Sequence, residues 1–529
     1  MTRTSTAGVV LGVLALTATA CGGSGGGAAT GDGTPVDGKS FSLGVGSDPG
    51  SLDPHMTVLS VAIQVDRFLY DTLLNLDDSG KPVAGLAAKW EASTTTASFT
   101  LRPGLTCADG SPLTAADVAA NINFIGDPAN KSPIAGLYIA PGTKATADAA
   151  GTISVTSGKP DAFLARNVGG VPIACAKGLA DRKLLAKGEA GTGMFTVTEA
   201  VPNDHYTFTR RKDYTWGPGD WKAETGLPEK VVVRVIPNTT TATNLLLSGE
   251  LNAAQINGPD RQRLEARKLF HTDFTAPMGE VFYNQAAGRP GQDEAVRRAL
   301  TQALDLPQLG KVLTAGAGKP SKGMITNEPE VCPGDTVTGN LPAHDPAAAA
   351  SSLDAAGWKK GADGVRAKDG KKLALTVLYG TQLGPTMAPT AELVQQQWKS
   401  LGADVTLKAV GSPGLSQVLF GTGEWEVSLG PVGFSLPSQL VPFVSGPAAP
   451  DGTNFAHVAN PGYDQAAQQA ATKPGDASCA DWNAAETALI KRVDAVPYFD
   501  SVVPTYASGA KFTISQGSLT PSSIRMFAK

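Results

Sequence analysis

The chain is poor in the residues that metal, redox and nucleic-acid chemistry require. Its five histidines, His55, His205, His271, His344 and His457, are scattered with no metal-ligand spacing, which disfavours a zinc or nickel centre. Charged residues make up only 17% of the 529, and the formal net charge is −4. No basic run or interleaved aromatic stripe offers a nucleic-acid surface. Five cysteines occur without a Cys-x-x-Cys pair, which excludes the usual thiolate metal site and the dithiol redox pair.

Nucleophile and phosphate motifs are missing as well. Gly22-Gly23-Ser24-Gly25-Gly26 satisfies Gly-x-Ser-x-Gly as a string, but a glycine run cannot build the strand-to-helix elbow that exposes a catalytic serine. Gly44-x-Gly46 lacks the third glycine of a dinucleotide turn, and Pro320 follows Lys319 where a phosphate loop needs a hydroxyl. Asp77-Asp78 stands just before Ser79-Gly80 and reads as a pair of solvated turn carboxylates. No catalytic residue, cofactor or metal ligand is therefore assigned.

Long apolar runs are absent except at the N-terminus. Ala7 to Ala18 is well short of the ~20 residues needed to span a bilayer, and Arg3 supplies a short basic start. Ala18-Thr19-Ala20-Cys21 then resembles a bacterial lipobox. The expectation is a signal peptide over residues 1–20, lipid on Cys21, and a tether over 21–39 whose Gly22–Gly33 portion has a flexible composition. The remaining cysteines, Cys107, Cys175, Cys332 and Cys479, are even in number in an exported chain. Two disulfides are expected, with three connectivities open.

A chain of this length exceeds what one core serves, so two or more domains are expected. Its most informative stretch runs from Tyr70 to Val118. Ser98-Phe99-Thr100-Leu101 alternates as a half-buried strand does, and Arg102-Pro103-Gly104 punctuates it. Thr114 stands three residues before Asp117, which predicts a capping box. Val118, Ile122 and Ile125 then give the helix one apolar face. Elsewhere Val231–Ile236 reads as a strand, and Asn238–Ser248 as a helix stopped by Gly249. Asp345-Pro346 starts another helix, stopped by Gly357. Leu373–Tyr379, Thr390–Leu401 and Ala403–Leu407 form a strand–helix–strand unit of an α/β domain.

The order of pieces in Tyr70–Val118 resembles the family 5 extracellular solute-binding proteins of ABC importers, the oligopeptide, dipeptide and nickel group. Those pieces are Tyr70-Asp71-Thr72-Leu73, Gly85-Leu86-Ala87-Ala88-Lys89-Trp90, Phe99-Thr100-Leu101-Arg102-Pro103-Gly104 and Asp109-Gly110-Ser111-Pro112-Leu113-Thr114-Ala115-Ala116-Asp117-Val118. Leu52-Asp53-Pro54, Gly191-Thr192-Gly193, Tyr214-Thr215-Trp216, Val281-Phe282-Tyr283-Asn284 and Val296-Arg297-Arg298-Ala299-Leu300 extend the likeness over about residues 41–512. The resemblance implies a two-lobed α/β fold, of the class II periplasmic-binding-protein type, with a hinge and an inserted α/β domain. Mapped here, lobe I comprises Ser40–Asp66, Lys187–Ala276 and Val496–Lys529. The inserted domain is Arg67–Ala186, and lobe II is Pro277–Ala495. Each of the pairs Cys107–Cys175 and Cys332–Cys479 then falls within one domain, and that pairing is favoured.

The function so implied is capture of a peptide or peptide-sized solute by a monomeric, lipid-anchored receptor, and its delivery to permease subunits that work with separate ATPases. The rivals are a signalling or adhesion lipoprotein on the same fold, a receptor for a non-peptide solute, and an exported hydrolase. By correspondence the ligand residues are Asn284, Tyr379, Phe434 and Asn454, with Leu52, Tyr283 and Trp425 in support. Peptide-binding relatives hold the ligand's ammonium with an Asp, and Gly433 occupies that position here. A buried ammonium without a carboxylate is costly, so Glu424 or Asp451 would have to supply the charge.

Overall fold

In the computed structural model, which describes residues 33–528, two long antiparallel strands organise the chain. Phe270–Tyr283 and Ala495–Ala507 pair along their whole length, from Phe270 opposite Ala507 to Phe282 opposite Ala495. At ~3.3 Å per residue such strands are long enough to cross two lobes. Their register is irregular between Pro277 and Glu280. Pro277 has no N–H to give the ladder, and the Tyr498 ring lies so close to Gly279 that a Cβ there would sit 2.5 Å from it. These two residues put a bulge, and hence a bend, in the middle of the connection.

Among the described residues the central sheet has eleven strands. On one side of the long pair lie Val427–Leu429, Ala374–Gly380 and Asp404–Val410. On the other lie Ala253–Gln255, Ser40–Val45, Lys230–Val235, His205–Arg210 and Phe195–Val201. Gly318–Pro320 adds to the Ala495–Ala507 strand off that path. A separate antiparallel sheet, ordered Ala87–Ala92, Thr96–Leu101, Thr152–Thr156 and Lys144–Ala147, belongs to the inserted segment.

The local expectations from sequence are met where short-range chemistry decides them. Thr114 and Asp117 form the capping box of helix Ala115–Gly126, with Val118, Ile122 and Ile125 fully buried. Asn238 caps helix Thr239–Ser248, which ends at Gly249 with φ 76°. Asp345 caps helix Pro346–Ala355. Strands Ala374–Gly380 and Asp404–Val410 are parallel and joined through helix Met387–Leu401. That helix starts three residues before Thr390 because Pro389 is tolerated in a first turn.

Cys107 pairs with Cys175 and Cys332 with Cys479. One apolar core joins Phe41, Phe208 and Val233 of the first lobe to Phe68, Phe99 and Ile122 of the inserted segment. A second holds Val281, Leu300, Val377, Trp398 and Val427. Val496, expected from sequence to open the last segment of lobe I, packs in this second core with Tyr498 and Phe499. No helix among the described residues is long and apolar enough to cross a membrane. The expected signal peptide, lipidated Cys21 and most of the tether lie outside the described residues.

Candidate binding cleft

The parallel strands of both lobes end at the bend. Ser40–Val45, Lys230–Val235 and Ala253–Gln255 run towards it from one side. Ala374–Gly380 and Val427–Leu429 run towards it from the other, antiparallel to the outgoing strand. Ligands of open α/β sheets bind outside the carboxyl ends of such strands. Here two sets of carboxyl ends face each other across one hinge. A shallow recess lies between them, with Asn257 and Arg261 on the first side, Met278 and Ser501 on the long strands, and Leu383 and Pro385 on the second.

The loop from Gly430 to Leu436 leaves the carboxyl end of strand Val427–Leu429, with Gly430 close against Leu383. Val432 N–H donates to Glu280 Oε2 at 2.8 Å, and Asn327 Nδ2 donates to the Phe434 carbonyl at 2.9 Å. Gln439 Oε1 accepts from the N–H groups of Ser435 and Leu436. Between these supports Gly433 is exposed, and nothing lies within 4 Å of where its Cβ would be. The space beside this glycine is open. Glu424 does not supply a carboxylate there, being exposed beside Lys408 and preceding the strand whose far end carries Gly433. Asp451 is exposed as well.

Of the seven positions proposed from sequence, the structure brings Tyr379 and Phe434 to the bend. Tyr379 pairs opposite Leu429 at the carboxyl end of its strand, and the Phe434 ring packs 4.8 Å from Phe443. Four others belong to the distal end of lobe II. Tyr283 is buried with its hydroxyl 2.8 Å from Thr301 Oγ1. Asn284 gives Nδ2 to the Trp425 carbonyl and accepts the Ala286 N–H. Trp425 is buried against Phe455, and Asn454 exchanges two hydrogen bonds with the Val458 backbone. Leu52 is buried in the first-lobe core. Amides whose donors and acceptors are taken up by backbone, and rings without exposed surface, brace loops in this conformation.

The Leu52-Asp53-Pro54 loop is tied down from behind. Asp53 pairs with Arg182, whose guanidinium lies 3.8 Å over the Phe124 ring. His55 is fully buried with Nε2 3.0 Å from the Pro172 carbonyl. Burial pushes it down to about 4, so it is neutral at pH 7. The inserted segment also reaches lobe II: Asn167 contacts Ser438 and Gln439, and Gly475 N–H donates to the Ala162 carbonyl.

Two acidic groups at the bend were not picked out from sequence. Glu280 is completely buried, its Oε1 has no partner among the described residues, and burial holds its carboxyl well above the usual range. A charge entering an otherwise apolar run, Glu280-Val281-Phe282-Tyr283, was the available signal. Asp500, on the return strand, is pushed up to about 6 by burial. A carboxyl raised in the folded state stabilises it most below the unfolded value of 3.8, and loses that contribution as pH rises through about 6. Asp500→Asn is therefore expected to gain on the wild type between about pH 4 and pH 7, by up to about 3 kcal/mol. Urea melts of both proteins across that range check this, and a constant difference would refute it.

A two-lobed α/β receptor with facing strand ends and a two-strand hinge is the architecture of solute-binding proteins. The model of the bacterial extracellular solute-binding proteins, family 5, middle region, matches residues 81–444. The chain belongs to this family. It is 29% identical over 470 residues to Protein XP55 of Streptomyces lividans, covering 82% of this chain and 78% of that one. It is 26% identical over 490 residues to the periplasmic murein peptide-binding protein MppA of Escherichia coli, covering 85% and 86%. Among solved structures, a substrate-binding protein of Microbacterium hydrocarbonoxydans complexed with 4-hydroxybenzoate hydrazide aligns with a TM-score of 0.79 and 26% identity, over 92% of this chain and all of that one.

Proposed function

We propose that this solute-binding protein is the capture component of an ABC importer, held outside the cytoplasmic membrane by lipid on Cys21. It takes a peptide or peptide-sized solute as the lobes close about the Pro277–Glu280 bend, and presents it to a permease pair whose ATPases are separate subunits. The observation that carries this reading is the opposition of strand ends across a bent two-strand hinge. Hinge closure completes contacts that neither lobe makes alone. Tyr379 and Phe434 are proposed to touch the ligand; Asn284, Asn454, Tyr283, Trp425 and Leu52 are proposed as its scaffold. The protein acts as a monomer of two lobes and an inserted domain, without catalysis.

The open space at Gly433 favours a second reading, a non-peptide organic solute, because an α-ammonium placed there meets no carboxylate. Native mass spectrometry of protein from its own host identifies what co-purifies. Thermal shifts from dipeptide to pentapeptide libraries support the peptide reading; shifts from a non-peptide solute alone overturn it. Gly433→Trp fills the open space without a backbone conflict. It is expected to weaken ligand binding by at least about tenfold with the melting temperature unchanged, since one displaced contact set is worth roughly 1.4 kcal/mol or more. Unchanged affinity would remove Gly433 from the site. Adjacent permease and ATPase genes discriminate transport from a signalling or adhesion role, and an assay against hydrolase substrates tests the enzyme rival.

A further inference from the structure

Helix Ser60–Leu69 begins with apolar side chains that the fold does not cover. Met56, Val58, Leu59 and Ile63 are, with Val201, the large apolar side chains left exposed among the described residues. The Leu59 carbonyl accepts the Ile63 N–H, so Leu59, Ile63 and Arg67, spaced by four, form one stripe along the helix. Leu59 is 44% and Ile63 36% exposed. A contiguous apolar surface on a folded domain marks a place where something binds, and this one leads into a guanidinium.

Arg67 is one of two neighbouring arginines with no acid to pair with among the described residues. Its Nη2 donates only to Gln516 Oε1, at 3.5 Å, and Arg166 Nη1 only to the Gly80 carbonyl, at 3.4 Å. Both distances are at the long end of a hydrogen bond. Arg166 Nε is buried without a partner among the described residues. Tyr138 stands close enough to both guanidinium groups for charge to act between them. Burial pulls both arginines below the usual guanidinium range, Arg166 to about 10, and no carboxylate among the described residues offsets it. The cluster sits where three parts of the chain meet. Gln516 turns the hairpin of Ile514–Ser515 and Ser518–Leu519, and Gly517 there lies close to the Phe274 ring of the outgoing long strand. On the other side Gly80 abuts Pro329 of lobe II, and Asn167, next to Arg166, meets Ser438. Desolvated cations without a partner are costly, and a bound oxyanion relieves both. Two guanidinium groups beside a phenol present donors in the number an oxyanion takes.

We infer that Arg67, Arg166 and Tyr138 hold the oxyanion head of an amphipathic acid whose apolar body lies along Leu59 and Ile63. The inference rests on the proposed capture function and deepens its second reading, a non-peptide organic solute. The ligand class is an alkyl or aryl compound ending in a carboxylate or a phosphate.

The test is calorimetry on the whole protein at about pH 7 with three probes, octanoate, octanamide and acetate. Octanoate differs from octanamide by its charged head and from acetate by its apolar body. It should bind at least about tenfold more tightly than octanamide, the factor of one hydrogen bond to a charged group. It should also bind at least about tenfold more tightly than acetate, the factor of about two buried methylenes. Arg166→Gln breaks no ion pair and should abolish most of the first preference, as should Arg67→Gln. Ile63→Ser should reduce the second preference and spare the first. Equal binding of octanoate and octanamide, octanoate no tighter than acetate, no binding of octanoate, or preferences unchanged in the variants would overturn the assignment. Octyl phosphate displacing octanoate through the same arginines would assign the head as a phosphate. If octanoate binds through both arginines while X-ray scattering shows no compaction, hinge capture falls and the site stands. If a co-purified solute compacts the protein while octanoate shows no preference, the site falls and hinge capture stands.

Discussion

Replacing Arg297 by alanine is expected to destabilise lobe II by about 3–5 kcal/mol, as truncating one partner of a buried ion pair does. Arg297 is 1% exposed and its partner Asp494 0%. Nη2 meets Asp494 Oδ1 at 2.8 Å, Nε donates to the Val493 carbonyl, Nη1 to the Gly291 carbonyl, and Nη2 also to the Arg492 carbonyl. One guanidinium thus joins helix Glu294–Gln302 to the turn that leads into the return strand. Without it, Asp494 retains Asn460 on its other oxygen and loses the charge that opposes its desolvation. Arg297→Lys cannot reproduce the planar fork and should recover little. Adding Asp494→Asn to the alanine variant should restore part of the loss by removing the orphaned charge. Urea denaturation followed through the tryptophans measures all four proteins; a loss below about 1 kcal/mol for Arg297→Ala would show that the pair is replaceable by water.

Opening the disulfides is the other large effect. Cys107–Cys175 spans 68 residues and Cys332–Cys479 spans 147. Chain entropy assigns such loops about 4 and about 5 kcal/mol respectively. The two double serine variants should differ in where the damage falls. The first loosens the inserted segment, where Cys107 and Cys175 sit in its shared core, and should open residues 107–175 to limited proteolysis. The second frees the segment around Cys332 from the start of helix Cys479–Lys491, and should open that segment to the protease instead. Identical cleavage patterns in both variants would contradict the assignment of each bridge to its own segment.

What could be read from sequence divides by range. The Thr114–Asp117 box, the caps at Asn238 and Asp345, and the alternation at Ser98–Leu101 involve neighbours a few residues apart, and their outcome was legible. The Tyr70–Val118 stretch pointed to the family the chain belongs to. It is scaffold, with its helix buried in the core shared with the first lobe. The ligand positions were harder because they depend on which end of a strand meets the bend. Asn284 follows Tyr283 opposite Val427, while Glu280 stands on the far side of Val281, nearer the bulge. Only the pairing with Ala495–Ala507, some two hundred residues later, decides that. The same long-range pairing gathers Glu280, Asp500 and Glu486, and no local pattern connects them.

The shared long strands also impose an order of manufacture. Ala253–Gln255 of the first lobe finds its neighbour in Thr505–Ala507, and Phe270 pairs with Ala507. The first lobe therefore lacks a central strand until nearly the whole chain has been synthesised, although most of its residues are made first. The second lobe is nearly contiguous and short of that constraint. A nascent chain halted before residue 495 holds the first half open-edged, and an unfilled sheet edge is a template for other chains. The geometry that lets the two halves swing also keeps the earlier half unfinished until Ala507 has been made.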